Sequence, residues 1–188
     1  MTLIMNLRST CLSLGLCLGL TATAQADFTL SSPVFGNGTS LGSTQVFNGF
    51  GCTGSNVSPA LNWSGAPAGT RSYAVTVYDP DAPTGSGWWH WVLFNLPADS
   101  QGLPAGAGDA SQHLLPASAV QSRTDFGKPG YGGPCPPVGD KPHRYIFTVF
   151  ALKTDKLPLE ADTGPAMVGF YLNQQKLGTA SITAYYGR

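Results

Sequence analysis

Three segments of the chain place apolar side chains with a period of two, the repeat that sends successive residues to opposite faces of a β-strand. From Ser72 to Tyr78, residues Tyr73, Val75 and Val77 fall on one face and Ala74, Thr76 and Tyr78 on the other. His90 to Leu96 reads as a second strand. His143 to Leu152 is the third and clearest, with His143, Tyr145, Phe147, Val149 and Ala151 sharing a face. Asp162-Thr163-Gly164-Pro165 offers an N-cap aspartate and a first-turn proline. Met167, Phe170, Tyr171 and Leu177 follow near helical spacing, so Ala166 to Leu177 is predicted as a helix that Gly178 ends. A short strand, Ser181 to Tyr186, completes the chain. Between Asp99 and Gly130 the residues Gly, Ala, Ser and Pro interleave without a period, which predicts irregular loop with one short helix around Gln112 to Leu115. No internal repeat is visible.

Composition turns these elements into a fold class. The 24 glycines and 15 prolines punctuate short β-branched and aromatic runs, as expected of a β-rich domain with long ordered loops. Residues 1–26 are read as a secretory signal peptide: Arg8 precedes the apolar run Cys11 to Leu20, and Ala24-Gln25-Ala26 supplies small residues for cleavage. The stretch from Leu14 to Ala24 is too short and too rich in Gly and Thr to span a membrane. Residues 27–188 then form one domain with a sizeable core, periplasmic or secreted. Ten basic and ten acidic residues give no net charge. Neutrality argues against a nucleic-acid or anionic-membrane surface, so any bound anion is held by a few placed groups.

Of four cysteines only Cys52 and Cys135 lie beyond the leader. In an oxidising compartment two cysteines more often pair than stay free, and pairing is the expectation here, with two separate buried thiols as the alternative. Such a bridge would be worth roughly 4 kcal/mol on the chain-entropy model.

Candidate chemistry is concentrated in two stretches of a protein that is only 11% charged. One runs from Asp79-Pro80-Asp81-Ala82-Pro83 to Trp88-Trp89-His90-Trp91, and the other is His143-Arg144-Tyr145. A lone Asp-Pro-Asp is ordinarily a rigid turn whose carboxylates cap backbone N–H groups, and a lone histidine is ordinarily a satisfied core residue. Together, however, two imidazoles, a tyrosine hydroxyl and the backbone N–H groups of Gly130-Tyr131-Gly132-Gly133-Pro134 form a donor set suited to an oxyanion. Asp79 would orient one imidazole. Arg144 alternates to the opposite face and reads as structural. Anion binding is expected to tighten as pH falls through about 6.5, the ordinary imidazole range. The turn from Asp79 to Pro83 is also expected to hold a cis X-Pro bond.

These motifs, with Gly133-Pro134-Cys135-Pro136-Pro137, Phe28-Thr29-Leu30, Asn56-Val57-Ser58-Pro59 and the terminal Tyr186-Gly187-Arg188, resemble the phosphatidylethanolamine-binding protein family, in particular its bacterial Raf-kinase-inhibitor-like branch. The resemblance implies a mainly β architecture: a β-sandwich of a large antiparallel sheet and a smaller sheet with a short C-terminal helix. It also implies a small pocket for the phosphate of a phospholipid head group or phosphorylated molecule. Carried over by position, that pocket comprises Asp79, Pro83, Trp88, His90, His143 and Tyr145, with backbone from Gly133 and Pro134. Trp89 stands where animal members often carry a second His. Those members also bring an aromatic residue of their C-terminal helix near the pocket, for which Tyr171, Tyr185 and Tyr186 are the candidates here.

A binding protein without catalytic residues or cofactor is therefore the primary expectation. The second is an interaction protein that inhibits a kinase or protease. An Asp79–His90 acid-base pair would suit a hydrolase, but neither a Gly-x-Ser-x-Gly elbow nor a cysteine nucleophile beside a histidine is expected. Metal ligation by His90, His143 and an aspartate is disfavoured by the aromatic crowding and by the lack of a His-x-x-x-His spacing. The sequence leaves open a protein partner and a homodimer.

Overall fold

The computed structural model describes residues 26–188. The leader expected over 1–26 lies outside the described residues except for Ala26. In chain order the strands are β1 (Thr29–Ser31), β2 (Asn48–Gly49), β3 (Cys52–Thr53), β4 (Leu61–Ser64), β5 (Ser72–Asp79), β6 (Trp88–Pro97), β7 (Gly102–Leu103), β8 (Val120–Gln121), β9 (His143–Leu152) and β10 (Lys176–Tyr186). Helix α1 spans Pro165–Gln175.

A large antiparallel sheet of order β10-β9-β5-β6-β8 carries the fold, with a smaller antiparallel sheet β1-β4-β7 and the hairpin β2-β3. The expected mainly β sandwich is thus the observed architecture. Residues Ser72 to Val77 of β5 are buried without interruption because both faces of the large sheet are covered. On one face Tyr73, Val75, Phe147 and Val149 meet Leu30, Leu61 and Trp63 of the smaller sheet. On the other, Ala74, Val92 and Phe94 meet Leu157, Leu159 and the α1 residues Val168 and Leu172. Each Val, Leu or Phe among them contributes about 1.5–3 kcal/mol when fully buried, so the sheet interior is the main source of cohesion.

The helix departs from its sequence pattern. Gly164, not Asp162, occupies the N-cap without a side-chain hydrogen bond. Val168 and Leu172, four apart, face the core, whereas Met167 and Phe170 are exposed. Lys176 to Gly178 leave the helix and pair with Leu152 and Ala151 through a bulge, so β10 starts well before Ser181. Backbone pairing with a long neighbouring strand outweighs the helical spacing of Leu177. The expected helix near Gln112 is one 3₁₀ turn, Ala110–Gln112, capped by the Asp109 carboxylate accepting from the Ser111 N–H.

Cys52 and Cys135 are bonded, with Cα atoms 6.0 Å apart, and the bridge fastens the β2-β3 hairpin to the segment that follows Gly133. No cis peptide bond occurs among the described residues, which corrects the expectation for Asp79 to Pro83. The turn is constrained differently: one Asp79 oxygen, Oδ1, accepts the N–H groups of both Asp81 and Ala82, at 2.8 and 3.1 Å.

Candidate functional site

Antiparallel order brings the end of β5 and the beginnings of β6 and β9 to the same end of the large sheet. Asp79, Trp88 and His143 are the terminal residues there, and His90 and Tyr145 lie one pleat further in. A cavity of about 170 Å³ opens at this point. It is lined by six of the expected residues, Asp79, Pro83, Trp88, His90, His143 and Tyr145.

His90 reaches it through an irregularity in the sheet. Val77 pairs with Trp91 and Tyr78 with Trp89, so His90 is the extra residue of a β-bulge, a device that re-aims a side chain. Its Nδ1 lies 2.7 Å from the Gly132 carbonyl. A carbonyl only accepts, so the ring proton sits on Nδ1. Burial pushes the imidazole down to about 4, against weaker opposing pulls from the Gly132 and Gly133 carbonyls, Asp79 and Asp125. His90 is therefore neutral at neutral pH. This corrects the expectation of a His90 donor charging near 6.5: desolvation of a fully enclosed ring outweighs the nearby carboxylates.

Asp79 is buried and completely engaged. Oδ1 holds the turn, and Oδ2 accepts from His143 Nδ1 at 2.8 Å. The other nitrogen of His143, Nε2, lies 3.4 Å from an Asp140 oxygen. Asp79 thus orients His143, and neither histidine Nδ1–H is free for a ligand. Two buried polar atoms of cavity-lining residues do lack partners among the described residues: the Tyr145 hydroxyl and Trp88 Nε1. Burial pushes the Tyr145 hydroxyl far up, keeping it a neutral donor. Arg144 points the other way, as alternation requires, and grips Asp81 with Nε and Nη2 at 2.8 and 2.6 Å. Hydrogen bonding to Arg144 holds the Asp81 carboxyl down to about 2.

Gly133 and Pro134 do not line the cavity, contrary to expectation. Gly133 donates its N–H to Asn56 Oδ1 at 2.7 Å, and a Cβ there would sit 1.9 Å from the Gln45 carbonyl. Pro134 accepts from the Phe47 N–H. The Tyr131 and Gly132 N–H groups are spent on the Gly108 and His90 carbonyls, so the N–H groups of Tyr131, Gly132 and Gly133 brace the pocket and are not offered to a ligand. Its continuation, Cys135 to Pro137, forms one wall instead.

Sequence reading missed the aromatic mouth. Phe50 and Phe126 line the cavity and lie nearly parallel, with centroids 5.9 Å apart. Phe126 also meets Trp88 and His90 edge to face at 5.4 Å. Phe50 and Gly51 form the two-residue turn of the hairpin, with φ of 53° and 81°, and this left-handed setting leaves Phe50 exposed. An aromatic residue between two glycines, Gly49-Phe50-Gly51, was the available signal. Tyr171, Tyr185 and Tyr186 are absent from the lining. The segment Gly38-Thr39-Ser40-Leu41-Gly42 has Gly-x-Ser-x-Gly spacing, but it is a turn followed by an isolated bridge to Tyr185, unlike the strand-to-helix elbow that such a serine requires.

The family model for phosphatidylethanolamine-binding protein matches residues 31–187, nearly all of the described chain. The chain belongs to the phosphatidylethanolamine-binding protein family. UPF0098 protein YbcL of Escherichia coli K12 is 54% identical over 168 residues, covering 89% of this chain and 92% of that protein. UPF0098 protein YbhB of the same organism is 52% identical over 150 residues, covering 80% and 94%. The crystal structure of E. coli YbcL, described as a new member of the mammalian PEBP family, superposes with a TM-score of 0.85 over 87% of this chain and 99% of that one. The family homologue CT736 of Chlamydia trachomatis is 28% identical with a TM-score of 0.71, covering 86% and 97%. In this family member the fold and the pocket at the sheet end are built from the motifs that carry the resemblance.

The neutral, buried His90 has a consequence for stability. The unfolded chain takes up a proton at His90 below about 6.5 that the folded chain takes up only near 4. Stability is therefore expected to fall as pH drops through that window, by up to about 1.4 kcal/mol per pH unit from this group. Urea denaturation at several pH values, compared with His90→Gln, measures it. An equal slope in both proteins would contradict the assignment.

Proposed function

We propose that this protein is an exported ligand-binding protein whose pocket accepts a small, phosphate-bearing anionic head group. The observation that carries this reading is the pair of buried hydrogen-bonding atoms without partners, Tyr145 hydroxyl and Trp88 Nε1, at a cavity walled by aromatic and proline side chains. Buried polar atoms are normally satisfied, and two unsatisfied ones beside one cavity suit a ligand that supplies acceptors. The family description, which names a phospholipid, supports the same ligand class. Export to the periplasm or beyond is supported by the leader pattern and by a disulfide, a bond that persists in oxidising compartments.

The reading assigns binding and no catalysis, since Asp79 and His143 are committed to each other and to the turn. Inhibition of a partner kinase or protease, with the occupied pocket as the signal, is the second reading, favoured by the exposed Phe50 at the mouth.

Tyr145→Phe tests the proposal with little risk to the fold, because the hydroxyl it deletes has no partner. Phosphate or phosphoethanolamine affinity, followed by tryptophan fluorescence, is expected to drop roughly tenfold or more, the worth of a hydrogen bond to a charged group at about 1.5–3 kcal/mol. Thermal stability should stay level or rise. Unchanged affinity in a folded variant would sink the proposal.

A further inference from the structure

The polar groups of the cavity are unevenly matched to a fully ionised anion. Because His90 Nδ1 donates to the Gly132 carbonyl, the neutral ring leaves a lone pair on Nε2. The groups around that ring are Asp79 at the end of β5, Asp125 in the loop after β8, and His143 and Tyr145 on β9. Asp125 is committed to the Trp89 N–H at 2.7 Å. Among the described residues no Lys or Arg lines the cavity, while the buried Asp79 carboxylate does. An oxyanion stripped of protons would set its own lone pairs against Nε2 beside a carboxylate, with no Lys or Arg to offset the charge. An oxyacid that retains one O–H meets each group correctly: its hydroxyl donates to His90 Nε2, and its charged oxygens accept from Tyr145 and Trp88.

We propose that the cavity selects a head group bearing its own proton, a phosphomonoester monoanion, over sulfate and over phosphodiesters. The inference rests on the anion-pocket reading above and narrows it. The depressed titration of His90 supports it, since the ring does not become a donor until well below neutral pH. Phosphatidylethanolamine within a membrane is a diester and has no proton to give, whereas a released head-group phosphate is a monoester and does. The apolar mouth of Phe50, Phe126 and Pro136 then faces the organic part of the ester.

The selectivity is tested on the unaltered exported protein by tryptophan fluorescence and calorimetry with three probes: phosphoethanolamine, glycerophosphoethanolamine and sulfate. The first two differ in whether the phosphate is a monoester or a diester. Phosphoethanolamine is expected to bind more than tenfold tighter at about pH 5.5 than at about pH 8, because the second ionisation of a phosphomonoester lies near 6. At the lower pH the diester and sulfate are expected to bind at least tenfold more weakly than the monoester. Calorimetry in two buffers near pH 8 should show close to one proton taken up per monoester bound. Saturable binding of the diester or sulfate as tight as that of the monoester would overturn the selectivity while leaving the anion pocket standing, as would monoester affinity that is equal at both pH values. No saturable binding of any probe at either pH would overturn the anion pocket itself, and the selectivity with it.

Discussion

Asp79→Ala is expected to lower stability by about 3–5 kcal/mol and to abolish ligand binding. The substitution removes an acceptor from three buried or half-buried donors at once, the Asp81 and Ala82 N–H groups and His143 Nδ1. Leaving a buried donor without its partner costs about 1–3 kcal/mol, and three donors lose theirs together. Asp79→Asn separates the two contributions, because its amide oxygen can still hold the turn while its NH₂ now faces the His143 ring. It should cost less in stability yet still disturb the pocket. Urea denaturation of both variants measures the effect. If Asp79→Ala unfolds within 1 kcal/mol of the parent, in round numbers, the carboxylate is not the keystone of this end of the sheet.

Loss of the Cys52–Cys135 bridge is the second large effect. The bridge joins residues separated by 83 positions, for which restriction of the unfolded chain gives about 4.5 kcal/mol, within a usual range of about 2–5 kcal/mol for removal of a native disulfide. Urea denaturation with and without reductant, and of the Cys52→Ser/Cys135→Ser double variant, should show that loss. A shift below about 1 kcal/mol would show that the unfolded chain gains little freedom when the bond is opened. The bridge also has a local duty, since Cys135 lines the cavity and Cys52 follows the turn that presents Phe50. Arg188 reinforces the same place by donating to the Pro136 and Phe50 carbonyls.

The large sheet was legible because its strands are long enough to show a period. His143 to Leu152 was read with its observed ends, and the face it assigned to His143, Tyr145 and Phe147 is buried throughout. The smaller sheet was not legible, since β1, β4 and β7 have only three, four and two residues. Helix α1 misled because Met167 and Phe170 mimic a core face that Val168 and Leu172 in fact supply. At the site, residue identities carried well but protonation did not. Nothing in the spelling of Trp88-Trp89-His90-Trp91 reveals that His90 is the extra residue of a bulge, that it spends its proton on a carbonyl far along the chain, or that burial keeps it neutral. Gly133 and Pro134 were placed at the ligand by the family resemblance, whereas the N–H groups of Tyr131, Gly132 and Gly133 are consumed in bracing the loops.

The pocket has two kinds of wall. Asp79, His90, His143 and Tyr145 stand on strands clamped between two buried layers, so they have little room to shift. Phe50, Phe126 and Pro136 stand on turns and loops that contribute little to either layer. A lineage could therefore exchange the mouth residues and acquire taste for a different organic group while the chemistry of the floor is inherited unchanged. For an engineer the same division marks where a library of substitutions belongs.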